Sequence, residues 1–196
     1  MTFKISRRDL LISGIAFTSL AAFGALADAN LAEQIDTAAK TGNTHVIYPS
    51  GAIGGLDVLR AVAAEGQTGV KYTGTKPPDA WTGSAAEGLT DLSQLQSAET
   101  FFTGTARAAA MLFPKNANVV AALALATGDF DGLQVELVAD PHATENTHGY
   151  SVTTTACKFT FEITNAPSPN NPRTSLTTVL SIVESIRNFA NMTSKE

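Results

Sequence analysis

The sequence predicts a mixed α/β domain of the α+β kind, a sheet of mixed or antiparallel strands covered by helices. Three observations predict it. Residues 69–75 alternate apolar and polar side chains, as a half-buried strand does. The runs 133–139, 149–156 and 157–164 are strand-like and joined by connections short enough for antiparallel neighbours. Helical spacing marks 105–112, 118–127 and 175–191, the last with Leu176, Val179, Leu180, Val183, Ile186 and Phe189 on one face to cover the sheet.

Composition narrows the function. The chain has 196 residues, 44% hydrophobic and 16% charged, which is enough apolar material for one well-buried globular domain. A net charge of −5, with 13 basic residues spread along the chain, gives no footprint for nucleic acid. Cys157 is the only cysteine, so no intramolecular disulfide and no cysteine-built zinc cluster can form, and no metal site is predicted. Cys157 reads as a small, half-buried strand residue.

The start of the chain has two readings. Ser6-Arg7-Arg8-Asp9, an uncharged run over 10–27 and Ala25-Leu26-Ala27 together look like a twin-arginine export signal. The alternative is a buried strand and helix, and the Gly, Ser and Ala content argues against a stable membrane span. Beyond it, Asp28 is placed to cap a helix over 30–39, and His45-Val46-Ile47-Tyr48 is a short β-like run stopped by Pro49. A glycine-rich turn, Ser50-Gly51-Ala52-Ile53-Gly54-Gly55, leads into a helix through Val58 and Val62. Such a turn exposes backbone N–H groups to a ligand, or is a plain tight turn; its glycines do not follow dinucleotide spacing.

After the alternating strand, Lys76-Pro77-Pro78 ends the ladder, and polar residues 79–97, with the single Trp81, read as a lid-like excursion rather than core. Asn118 opens an alanine-rich helix, where its amide can cap the helix or point at a ligand, and Gly128 stops it. The chain is organised around 141–148, which reads as a sheet-end connection carrying His148. A free imidazole titrates at about 6.5, which suits His148 to proton transfer near neutrality; the other reading is a surface or hydrogen-bonding histidine. Residues 166–172, with three prolines, read as a rigid extended loop.

Seven ordered segments carry a family resemblance: 24–28 (GALAD), 48–57 (YPSGAIGGLD), 75–78 (TKPP), 113–119 (FPKNANV), 138–141 (VADP), 146–148 (NTH) and 167–172 (PSPNNP). Together they resemble the C-terminal, catalytic half of L-aspartate dehydrogenase, a nicotinamide-dependent enzyme of NAD biosynthesis. The resemblance implies oxidative deamination of L-aspartate, through iminoaspartate, to oxaloacetate and ammonia, with NAD or NADP as cofactor. It implies that His148 is the general acid/base and that Ala52 and Asn118 contact the dinucleotide. Ser50 and Lys115 are secondary candidates for substrate carboxylates, while His45 and His142 match no catalytic position.

The family begins with a dinucleotide-binding half whose glycine fingerprint this chain lacks. Residues 1–27 are therefore expected to be a leader, either a remnant of that half or an export signal, and 28–196 the catalytic domain. Because GALAD belongs to the family's own pattern, a cytoplasmic location is the favoured expectation, and the resemblance implies a homo-oligomer. Two other readings stand beside it: a non-catalytic domain that self-associates or binds a partner, and an exported small-molecule-binding protein.

Overall fold

Alternation along one central strand determines how the chain folds. The computed structural model describes residues 23–66, 69–169 and 171–193, so the double-arginine stretch lies outside the described residues. A 3-10 turn at Phe23–Ala27 leads into α1 (Ala29–Thr41) and α2 (Leu56–Ala63). Next come β1 (Gly69–Lys76), β2 (Glu99–Thr105), α3 (Ala106–Leu112) and α4 (Asn118–Thr127). They are followed by β3 (Gln134–Ala139), β4 (Asn146–Thr153) and β5 (Lys158–Asn165). A small ribbon, β6 (Pro167–Ser168) and β7 (Asn171–Ser175), precedes α5 (Leu176–Thr193).

The sheet order is β2-β3-β1-β4-β5. β1 is parallel to β3 and antiparallel to β4, so the sheet is mixed, as the sequence predicts. Its even-numbered residues, Val70, Tyr72, Gly74 and Lys76, face inward. Opposite them stand Val152, Tyr150 and His148 of β4 and Val135, Leu137 and Ala139 of β3. Leu59 of α2, Ala106 and Ala109 of α3 and Val120 and Leu123 of α4 close the same core. The other face carries polar side chains, including the Lys71–Glu136 ion pair. α4 packs tightly because four of its ten residues are alanine, which lets α2 and α3 approach its backbone.

Several expectations are corrected. β3 and β4 are not neighbours; β1 lies between them. Residues 45–48 form no strand, since Pro49 and the glycine turn supply no partner ladder. Residues 79–97 do contribute to the core: Trp81 and Ala86 are fully buried, with Trp81 edge-on to Phe101 and its indole N–H donating to the Val138 carbonyl at 3.1 Å. Cys157 lies in the β4–β5 turn, where the Thr154 hydroxyl accepts from its N–H, rather than in a strand. In place of an extended loop, Pro167–Ser168 and Asn171–Ser175 pair as a two-stranded antiparallel ribbon.

α5 does not cover the central sheet. Its principal contacts are with β6 and β7, and Val179, Leu180, Val183 and Phe189 stay exposed. At the other end, Phe23, Leu26 and Ala27 are buried against α3 and α4, and Arg107 donates to the Ala27 carbonyl while pairing with Asp131. The folded unit therefore includes residues 23–27. Asp28 caps α1, accepting from the N–H groups of Asn30 and Leu31, and Gly128 ends α4 in the left-handed region.

Candidate active site

His148 sits within β4, not in a loop. It lies on the inward face and is 3% exposed. The residue directly across from it on β1 is Gly74. A Cβ at Gly74 would lie 2.5 Å from the Tyr72 hydroxyl, so the absence of a side chain there lets the Tyr72 ring lie along its own strand toward His148. The Tyr72 hydroxyl and His148 Nδ1 are 2.7 Å apart. Burial raises the Tyr72 phenol well above its ordinary value, so it stays protonated. It has no other hydrogen-bond partner among the described residues. The hydroxyl therefore donates to Nδ1, and the resting ring carries its proton on Nε2.

Near-neutral titration, expected from the sequence, is corrected by this environment. Burial pushes the His148 imidazole down to about 3, and the positive charge of Lys76 adds to the effect. Lys76 is the last residue of β1 and in phase with the inward face. It is 9% exposed, its ammonium lies 5.0 Å from the centre of the Trp81 ring, and no carboxylate pairs with it among the described residues. Burial lowers it to about 8, so it is still charged at neutral pH. Sequence reasoning missed both Tyr72 and Lys76. The available signal was parity: a lysine at the inward position of an alternating strand.

The glycine-rich turn folds over the core face of β4 and β5. Gly51 and Gly55 adopt positive φ, and a Cβ at Gly55 would meet the Tyr150 hydroxyl, which donates instead to the Gly54 carbonyl at 2.9 Å. Asn165, buried at the end of β5, donates its amide to the Ala52 carbonyl at 3.1 Å and accepts from the Thr177 hydroxyl of α5. Asn165 is paired with Asn146, two residues along β4 from His148. This fixes Ala52 at the His148 end of the sheet. The Ser181 hydroxyl accepts from the Gly51 N–H, holding the turn from the α5 side.

Asn118 opens α4 but does not cap it. Its side-chain carbonyl oxygen is buried with no partner among the described residues. An orphaned acceptor at this position suits a ligand's N–H donor. Ser50 is half-buried beside the turn; Lys115 is exposed in the 114–116 turn, with no contact that ties it to His148. His45 is exposed, and His142 joins the Gln96 carbonyl, pinning the 79–97 segment to the β3–β4 connection. No group of three His, Cys, Asp or Glu side chains able to hold a metal occurs among the described residues. No described helix is long and apolar enough to cross a membrane.

Comparison with known proteins agrees along most of the chain. Residues 57–189 match the family described as aspartate dehydrogenase, C-terminal. L-Aspartate dehydrogenase of Ruegeria pomeroyi is 48% identical over 164 residues, covering 84% of this chain and 60% of the relative. That of Cupriavidus taiwanensis is 45% identical over 171 residues, covering 87% and 64%. The crystal structure of aspartate dehydrogenase from Thermotoga maritima superposes with a TM-score of 0.68 at 32% identity, covering 85% of this chain and 63% of that one. The chain thus spans somewhat over half the length of these relatives.

Two measurements test this geometry. Gly74→Ala is expected to displace Tyr72 and cost about 1–3 kcal/mol in chemical denaturation. It should also shift the His148 ring signals in an NMR spectrum; unchanged ring signals would mean that Gly74 does not position the pair. Because the folded imidazole titrates below the unfolded one, the unfolded chain binds more protons between about pH 6.5 and 3. His148 thus contributes stability that is complete above about 6.5 and lost as the pH falls, with a slope of up to about 1.4 kcal/mol per pH unit. His148→Gln should flatten that part of the stability profile, and an unaltered profile would contradict the buried neutral ring.

Proposed function

We propose, for a chain that belongs to the aspartate dehydrogenase C-terminal family, that it performs the substrate chemistry of an NAD- or NADP-dependent L-aspartate dehydrogenase serving NAD biosynthesis. The observation that carries this reading is the buried His148, held by Tyr72 at the end of the sheet where Ala52 is fixed. When bound, a nicotinamide cofactor supplies the acceptor for the hydride leaving the α-carbon of L-aspartate. The orphaned Asn118 oxygen and the Ala52 turn are the features of this chain that would hold it, and an amide N–H donor fits the first of them.

The remaining steps belong to the chain's own residues. For Nε2 to accept a proton, the ring must carry its own on Nδ1, and the Tyr72 hydroxyl can then accept from it. The phenol therefore holds the imidazole in either tautomer. With Nε2 free, His148 takes a proton from the water that adds to the imine carbon of iminoaspartate. The imidazolium so formed returns the proton to the departing amine, leaving oxaloacetate and ammonia.

Support for a cytoplasmic rather than exported protein comes from the first turn. Cleavage after Ala27 would remove Phe23, Leu26 and Ala27, which are packed into the core. The exposed apolar strip of α5 supports a homo-oligomer over an isolated monomer.

The activity test is aspartate-dependent reduction of NAD and NADP by this chain, alone and with a relative's dinucleotide-binding half supplied in trans. His148→Ala should lower turnover by about a hundredfold or more. A folded reconstituted protein that never oxidises aspartate would sink the assignment. For the oligomer, light scattering should give a multiple of the chain mass, reduced toward the monomer by Leu180→Glu; a monomeric wild type would refute it.

A further inference from the structure

Among the described residues, Lys76 lacks the partner that a buried cation needs. An ammonium withdrawn from water loses hydration worth several kcal/mol unless an anion or a set of acceptors replaces it. Here the replacement is the face of the Trp81 ring at 5.0 Å, which covers one side of the charge. Acidic side chains on the neighbouring strand β3 and just past its end are directed elsewhere. Asp140 accepts from the His142 N–H, and its own N–H donates to the Lys76 carbonyl; Glu136 pairs with Lys71 on the opposite face. Lys76 is also one inward position beyond Gly74, the residue directly across from His148. Diagonal neighbours of this kind stand about 7–8 Å apart, roughly the length of a four-carbon dicarboxylate with its contacts.

We propose that Lys76, backed by the Trp81 ring, is the anchor for one carboxylate of a dicarboxylate ligand whose reacting carbon lies against His148. The assignment rests on the dehydrogenase reading for the identity of the substrate and on the Lys76 geometry for the residue. It also removes an obstacle in the chemistry. An imidazolium at His148 would face a bare ammonium on β1, with Tyr72 beside it and Tyr150 engaged at Gly54. A bound carboxylate neutralises that ammonium and so removes the charge repulsion that adds to burial in disfavouring a proton on His148. Lys76 thus binds the substrate and couples that binding to the ease of protonating His148.

The test uses this chain and succinate, a dicarboxylate with no amine to oxidise, followed by calorimetry and by NMR of isotope-labelled lysine and histidine. Wild type should bind succinate saturably, the Lys76 ammonium signal should move with saturation, and the His148 titration should move upward. Chloride at matched ionic strength should produce neither change. Lys76→Met should weaken succinate binding by about tenfold or more while raising Tm at pH 7, because a buried unpaired charge is gone.

Equal succinate binding by Lys76→Met, no saturable binding by wild type, or a Lys76 signal that ignores saturating succinate would each overturn the proposal. The NMR measurement on wild type decides even if the variant fails to fold. Lys76-dependent succinate binding in a protein that never oxidises aspartate would refute the dehydrogenase reading alone. An active enzyme whose Lys76→Met variant binds succinate normally would refute the anchor alone.

Discussion

The hydrogen bond between Tyr72 and His148 depends on an absence. Two strands bring Gly74 and His148 face to face, and only because position 74 has no side chain can the Tyr72 hydroxyl lie over that position and reach Nδ1. One constraint therefore links backbone register, side-chain packing and the state of the imidazole. A slip of one residue in the β1–β4 pairing would turn the inward set of either strand to the polar face and separate the two rings. The register is held by the apolar pairs on the same face, Val70 with Val152 and Tyr72 with Tyr150. The core packing that stabilises the sheet is thus also what aligns the proton-handling pair.

Burial then shapes the electrostatics. Tyr72, Lys76 and His148 all shift in the direction expected when the charged form is denied water: the phenol upward, the ammonium and imidazole downward. None has an acidic partner among the described residues to counter that effect. An interior built only for stability would have placed apolar side chains at 76 and 148, continuing the alternation of Val70 and Tyr72. Asn118, with its unpaired buried oxygen, departs from economy in the same way. These exceptions lie at the sheet end and at the start of α4, the two places from which the proposed site is built.

Much of the fold was legible because alternation and helical spacing are local. The run at 69–75, the alanine-rich helix with its Gly128 stop and the Asp28 cap all appear where residue chemistry places them. What sequence could not convey was which strands meet. The insertion of β1 between β3 and β4 depends on a long crossover, and local pattern carries no information about it. The same limit governed the site. Motif resemblance proposes His148, Ala52 and Asn118, but local sequence suggests a loop around His148, because Asn146 and Thr147 follow a polar, proline-led stretch. They are instead the first residues of β4, with the Thr147 hydroxyl bonded to that of Thr164. Trp81 was taken for an excursion residue for a similar reason: its polar neighbours hide one side chain that reaches the core.

The central position of β1 also bears on how the molecule is made. Both of its partners lie far downstream, and β2 with two helices is synthesised before either of them. Until β3 and β4 emerge, β1 has two unpaired edges and its inward side chains have no opposing face. Non-local pairings of this kind carry a large loop-closure cost and form late and together rather than piece by piece. Tyr72 and Lys76 therefore meet His148 in the same event that closes the sheet. No partly folded form with β1 still unpaired can hold the Tyr72–His148 pair, so the buried polar cluster exists only once the sheet is complete.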